Sequence, residues 1–214
     1  PAVLSVFVIR FIRGERTETA GKAVTSPFRL GIRLKLYLAV TFLFCLGNSS
    51  NAFLLLKAHD AGFSLAEVML LYLVFNLSSA VLSIPSGRLS DRFSRSAILV
   101  PGYLIYGLVY IGFAMSPARI LFPFLFAAYG AYIAFISGAE RAFIAESAPA
   151  EYKGTVFGIY GMLQGFGLLL SSVIAGFMWD IFGSSAPFWF DGALGVLSAC
   201  LILLILNVPF RKAA

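Results

Sequence analysis

Asn48, Asn51, Asn76, Tyr129, Tyr132 and Gln164 are polar side chains set inside long apolar runs of this sequence. Their chemistry is hydrogen bonding and aromatic contact rather than bond making. Asn48 and Asn51 flank Ser49-Ser50 and are three residues apart, so they leave one helix on the same face, toward a neighbouring helix or a water-filled cavity. Hydrogen bonding between helices and contact with a solute both satisfy such residues, and the sequence leaves the two open. Tyr129 and Tyr132 have the same spacing, and Gln164 lies near the middle of its apolar run. Covalent catalysis is poorly served. His59 is the single histidine and falls in a short polar turn, without a Ser or Cys constellation. Cys45 and Cys200 sit in apolar runs with no metal-ligand partners nearby and read as small apolar side chains. With no paired intramembrane carboxylates either, the pattern implies no enzyme, no metal and no cofactor.

The elements that hold these residues follow from composition. Of 214 residues, 60% are hydrophobic and 12% charged. Soluble domains carry about 25% charged residues, and this chain lacks the polar coat that a globule needs. The predicted fold is therefore an all-α integral membrane protein, with spans at 36–56, 65–84, 97–115, 120–140, 155–179 and 187–208 within a helical bundle covering 36–210. Residues 1–12 read as the end of a preceding transmembrane helix, because Pro1 to Ile9 is too short to cross a bilayer, which takes about 20 residues. Residues 13–35 read as a basic linker broken by Gly14, Gly21 and Ser26-Pro27. In the third span Gly102, Gly107 and Gly112 are positions for close packing. In the fifth, Gly154, Gly158, Gly161, Gly165, Gly167 and Gly176 form a stripe that a neighbouring backbone could approach. Pro85 closes the second span, and Trp179, Phe188 and Trp189 mark an aromatic belt, with Asp180 and Asp191 near it.

Between the second and third spans stands a charged knot, Gly87-Arg88-Leu89-Ser90-Asp91-Arg92-Phe93-Ser94-Arg95. Each charge at a membrane-helix centre costs about 2.5 to 3.5 kcal/mol, so the knot is predicted to be a short loop in water. It resembles the loop signature of the major facilitator superfamily, a Gly followed by an acid four residues on, an Arg and a further basic residue. Gly87, Asp91, Arg92 and Arg95 match it, whereas Ser94 and Ser96 depart from it. The resemblance implies half of a twelve-span transporter, and the basic linker and upstream helix tail favour the second half.

The resemblance also implies a cytoplasmic charge network. Glu146 and Lys153 have a spacing similar to that of sugar-type members in the equivalent loop, which suggests a set joining Asp91, Arg92, Arg95, Glu146 and Lys153. Independently solvated charges are the alternative reading. Glu140 and Arg141 lie nearby, and counting from Ile120 puts Glu140 at the membrane edge in a structural role. No acid or base falls at mid-depth by this count, so if transport is driven by protons the titrating carboxylate is expected in the other half. Every Lys and Arg except Lys57 and Arg119 lies on one side of the predicted spans. By the positive-inside rule that side, with the C-terminus, faces the cytoplasm.

The function this resemblance implies is secondary active transport of a small organic solute by alternating access, with efflux of lipophilic compounds the preferred direction because the predicted cavity is apolar and uncharged. The substrate contacts implied are Asn48, Asn51, Asn76, Tyr129, Tyr132 and Gln164. The partners implied are the lipid bilayer, an N-terminal six-helix half and the solute; the basic residues are explained by topology, not by nucleic acid. The location implied is the bacterial cytoplasmic membrane. A six-span homodimer and a membrane enzyme are the alternatives.

Overall fold

A computed structural model describes residues 30–92, 95–115 and 118–206. The predicted helix tail at 1–12, most of the linker and the C-terminal Arg211-Lys212 lie outside the described residues. Within them all regular elements are helical: α1 (Ile32–Leu46), α2 (Asn51–Asp60), α3 (Leu65–Arg92), α4 (Arg95–Ala114), α5 (Phe122–Ser147), α6 (Lys153–Phe182) and α7 (Ala186–Leu206), with single 3-10 turns at Arg119–Leu121 and Ala150–Tyr152. Ile32–Asp60, which joins α1 and α2, and the α3, α5, α6 and α7 stretches are long and apolar enough to cross a membrane; Ile98–Ala114 is shorter but equally apolar in character. The result is a helical membrane bundle.

The first predicted span is not one helix. Gly47 ends α1, the chain runs non-helical through Asn48 and Ser49, and Ser50 starts α2 by accepting a hydrogen bond from the Ala52 amide at 3.3 Å. Asn and Ser side chains compete with helical backbone bonding and serve well as caps, which is why four polar residues in a row divide this span. The next helix begins with a reciprocal cap: the Ser64 amide donates to Glu67 Oε2 at 2.7 Å, and the Glu67 amide to Ser64 Oγ at 3.4 Å. Arg119 meets the same Glu67 at 3.0 Å and lies over the Phe63 ring, tying the turn before α5 to the start of α3.

Two boundaries differ from the sequence reading. Pro85 does not close the second span but lies within α3, which continues through Gly87 to Arg92. Most of the predicted water-exposed loop is thus a helical extension, since residues that cannot lie in hydrocarbon can still continue a helix that emerges from it. Ser86 helps at this point, donating to the carbonyls of Ala134 at 2.8 Å and Ser83 at 2.9 Å. The fourth helix extends to Ser147, well past Glu140.

Helix α4 is the centre of the bundle. It packs against α5 on one side and α7 on the other, and Tyr103, Tyr106, Tyr110 and Phe113 are fully buried along it. At Gly107 an added Cβ would stand 2.8 Å from the Val196 amide nitrogen, and at Gly192 another would stand 3.0 Å from the Gly107 carbonyl oxygen, so α4 and α7 meet backbone to backbone. The glycines of α6 behave otherwise. Gly167 presses on Cys45, but Gly154, Gly158, Gly161, Gly165 and Gly176 have nothing within contact distance. The expected close packing along that stripe is corrected: spacing aligned the glycines on a face, but within the described chain that face meets no neighbour.

Candidate functional site

Two buried carboxyl groups organise the polar interior. Glu140 is only 5% exposed on α5, about 10 Å in from that helix's C-terminal end at 1.5 Å per residue. Tyr103 on α4 donates to its Oε1 at 2.6 Å, Tyr160 on α6 donates to Oε2 at 2.5 Å, and Gln164 Nε2 donates to Oε2 at 3.3 Å. Gln164 also donates to the Tyr160 hydroxyl at 2.6 Å. Both carboxyl oxygens are therefore satisfied, by side chains from two other helices. Counting along the chain from Ile120 gives no sign of this burial: α5 goes on for two more turns past Glu140, and its packing against α4 and α6 encloses the carboxyl.

Asp191 is 1% exposed, about 8 Å into α7. Its Oδ2 accepts from the Ser49 hydroxyl at 2.5 Å and, more weakly, from the Ser49 amide at 3.4 Å. Its Oδ1 is buried without a hydrogen-bond partner. The carboxyl thus reaches across to the gap between α1 and α2. Next to that contact, the Tyr106 hydroxyl donates to the Gly47 carbonyl at the end of α1. Residue counting missed this group because Asp191 lies near the start of its helix; the one signal in the sequence was a lone acid beside the polar break-forming residues it would need.

Aromatic rings join the two carboxyl groups. Phe44 stacks on Tyr103 at 4.3 Å and meets Tyr106 edge-on at 4.8 Å; Tyr106 stacks on Tyr110 at 4.2 Å and leans on Tyr132 at 4.9 Å. Tyr129 lies 5.5 Å from Tyr132 and donates to Asn51 Oδ1 at 2.7 Å. Of the residues singled out from the sequence, Asn51, Tyr129 and Tyr132 are therefore brought together, and Gln164 joins the Glu140 cluster. Asn48 is half-buried in the break. Asn76 is not part of either group: it is exposed on α3 and donates to the Tyr72 carbonyl of its own helix at 2.7 Å.

The remaining sequence candidates lie near and beyond the C-terminal ends of α3 and α5. Arg141, Glu146 and Lys153 are exposed, as is Gly87. The side chains of Asp91, Arg92 and Arg95 lie outside the described residues. Gly87 borders a crevice of about 260 Å³ between α3 and α5, lined also by Ser79, Ser83, Ser86, Ser137 and Gly138. Ser83, Ser86 and Ser137 donate to backbone carbonyls, so the crevice presents little free hydrogen-bonding capacity. Among the described residues no group of His, Cys, Asp or Glu is arranged to hold a metal.

Comparison with known proteins places this architecture. The Major Facilitator Superfamily profile matches residues 37–214. An uncharacterized MFS-type transporter of Methanocaldococcus jannaschii is 30% identical over 213 residues, covering 94% of this chain and 52% of the relative. A second transporter so described from that organism is 28% identical over 72% of this chain and 40% of its own length. The quinolone resistance protein NorA of Staphylococcus aureus is 25% identical over 72% of this chain and 39% of its own. The chain spans about half the length, or less, of these curated relatives.

Proposed function

The chain belongs to the major facilitator superfamily, and from that premise we propose that it forms one half of a secondary active transporter that moves a small organic solute by alternating access. The observation that carries the proposal is the hydrogen-bonded polar interior of an otherwise apolar membrane bundle. Asn51 with Tyr129, and Glu140 with Tyr103, Tyr160 and Gln164, are groups that a folded membrane scaffold retains only where structure or transport needs them. The partner is an N-terminal six-helix half, and the solute binds between the halves near the bilayer midplane. Asn48, Asn51, Tyr129, Tyr132 and Gln164 supply hydrogen bonds and ring faces to it, with Asn76 on the second span of the half.

The aromatic interior, built of Phe44, Tyr103, Tyr106, Tyr129 and Tyr132, suits a lipophilic or neutral solute better than a highly charged one. The similarity to a quinolone resistance protein supports export as the direction. The bundle lies in the bacterial cytoplasmic membrane with its C-terminus in the cytoplasm, since basic residues gather on that side. There Asp91, Arg92, Arg95, Arg141, Glu146 and Lys153, next to Gly87, form the charge network that favours one conformation over the other.

The test uses the full-length protein. Expressed in an efflux-deficient bacterium, it raises tolerance to lipophilic cations and fluoroquinolones, and purified into liposomes it moves ethidium when an ion gradient is imposed. Growth and ethidium movement equal to those of empty controls, with the protein correctly inserted, would overturn export of lipophilic compounds.

A further inference from the structure

The first membrane span is divided at Gly47–Ser50, and two polar side chains reach the division from other helices: Tyr106, on the Gly47 carbonyl, and a carboxyl, Asp191, with Ser49 on its Oδ2 and nothing on its Oδ1. Broken membrane helices are where transporters of other folds hold their coupling ions, because the unwound backbone and a nearby acid supply ligands that a continuous helix hides. The surroundings decide which ion. Oδ1 has essentially no surface open to a water-sized probe, so there is no room beside it for a coordinated metal ion or its water. A proton requires none.

The polar, charged and titratable groups nearest Asp191 come from five segments. Ser49 approaches from the break. Tyr106 and Tyr110 on α4 and Tyr129 on α5 are within electrostatic range. Lys57 on α2 is engaged elsewhere, with its Nζ 3.2 Å from Ser184 Oγ, 2.8 Å from Ser185 Oγ and over the Phe188 ring. Asp180 on α6 is exposed. No cation pairs with Asp191 among these residues, and a buried charge without a partner is costly.

We propose that Asp191 is a proton-binding site operated by the break in the first span. With the break closed, as in this structure, the carboxyl carries a proton on Oδ1 while Ser49 donates to Oδ2. When α1 and α2 reorient, Ser49 is withdrawn, water reaches the carboxyl, the O–H bond breaks and the proton passes to that water, leaving a hydrated carboxylate. Hinge motion at residues 47–50 and proton occupancy are thereby one equilibrium. Proton binding at Asp191 deepens the transport reading and rests on it for its purpose alone.

The experiment is infrared difference spectroscopy of the full-length protein in lipid nanodiscs, titrated with acid and base, where a protonated carboxyl shows a carbonyl stretch that shifts in heavy water. Asp191→Asn is expected to remove one such band, while Glu140→Gln leaves that band in place. Ser49→Ala, which retains the carboxyl if Asp191→Asn fails to fold, is expected to shift the band to higher frequency and move its titration midpoint about tenfold in proton concentration, the worth of a hydrogen bond to a charged group. A spectrum unchanged by both variants at residues 49 and 191 overturns the site, and so does a band displaced when sodium replaces choline at constant ionic strength. Since the spectra need no solute, an unaltered band could coexist with working export, and a missing export activity would leave the Asp191 band to be read.

Discussion

Glu140 receives hydrogen bonds on both oxygens from Tyr103, Tyr160 and Gln164, whereas Asp191 receives both of its bonds on one oxygen from Ser49 alone. The two carboxyl groups are equally hidden, yet one is anchored by two intact helices and the other by a helix that is interrupted at the point of contact. Burial alone therefore does not define a role. A carboxyl held on both oxygens by continuous helices resists movement, while one held on a single side by a non-helical segment can exchange its partner at little cost. The first reads as a fastening of α4, α5 and α6, and the second as a moving contact between α7 and the divided first span.

Mutations can break or sharpen this contrast. The largest effect is expected at the seam that carries Asp191. Gly107→Leu would drive a side chain against the Val196 amide, and in the full-length protein it is expected to abolish a monodisperse, folded species in size-exclusion chromatography. Glu140→Ala comes next. It takes the acceptor away from the Tyr103 and Tyr160 hydroxyl protons in the interior and should cost about 3 kcal/mol, seen as a lower thermal midpoint in detergent. Asp191→Asn should cost less, about 1 kcal/mol in the same assay, because Asn keeps an oxygen for Ser49 and its amide N–H groups replace a carboxyl O–H that already has no acceptor on that side. Equal losses for these two variants would remove the distinction drawn between the carboxyl groups.

Smaller effects sharpen it. Tyr129→Phe deletes the bond to Asn51 at the start of α2 and is expected to cost about 1 kcal/mol while altering the affinity for any transported solute. Gly161→Leu, on the open face of α6, should leave stability within about 0.5 kcal/mol, since nothing in the described chain meets it. A strong loss of transport with stability intact would then mark that face as one that meets the other half of the transporter.

Much of the fold was legible. Long apolar runs, sparse charge and the biased placement of Lys and Arg follow from the need to match a bilayer, so they identify helices and a membrane setting without any knowledge of contacts. Asn51, Tyr129 and Tyr132 stood out as polar residues in apolar runs, and Tyr129 meets both of the others. Less legible were helix ends and helix breaks. Pro85 looked like a terminator but is carried inside α3, because the packed bundle and serine hydroxyls such as Ser86 satisfy backbone groups locally. Asn48-Ser49-Ser50-Asn51 was visible as a polar cluster, but whether it would stay helical depended on Asp191 and Tyr106 reaching it from α7 and α4.

The sequence by itself determined that this chain is a helical membrane bundle with the pattern of the major facilitator superfamily, because hydrophobic length and charge asymmetry are local properties read against a fixed bilayer. Tertiary structure decided which polar residues meet. Glu140 and Tyr103 are 37 residues apart, and Ser49 and Asp191 are 142 apart. Their pairing depends on the rotation and depth of whole helices, set where Gly107 and Gly192 let α4 and α7 touch, and no spacing along the chain encodes that.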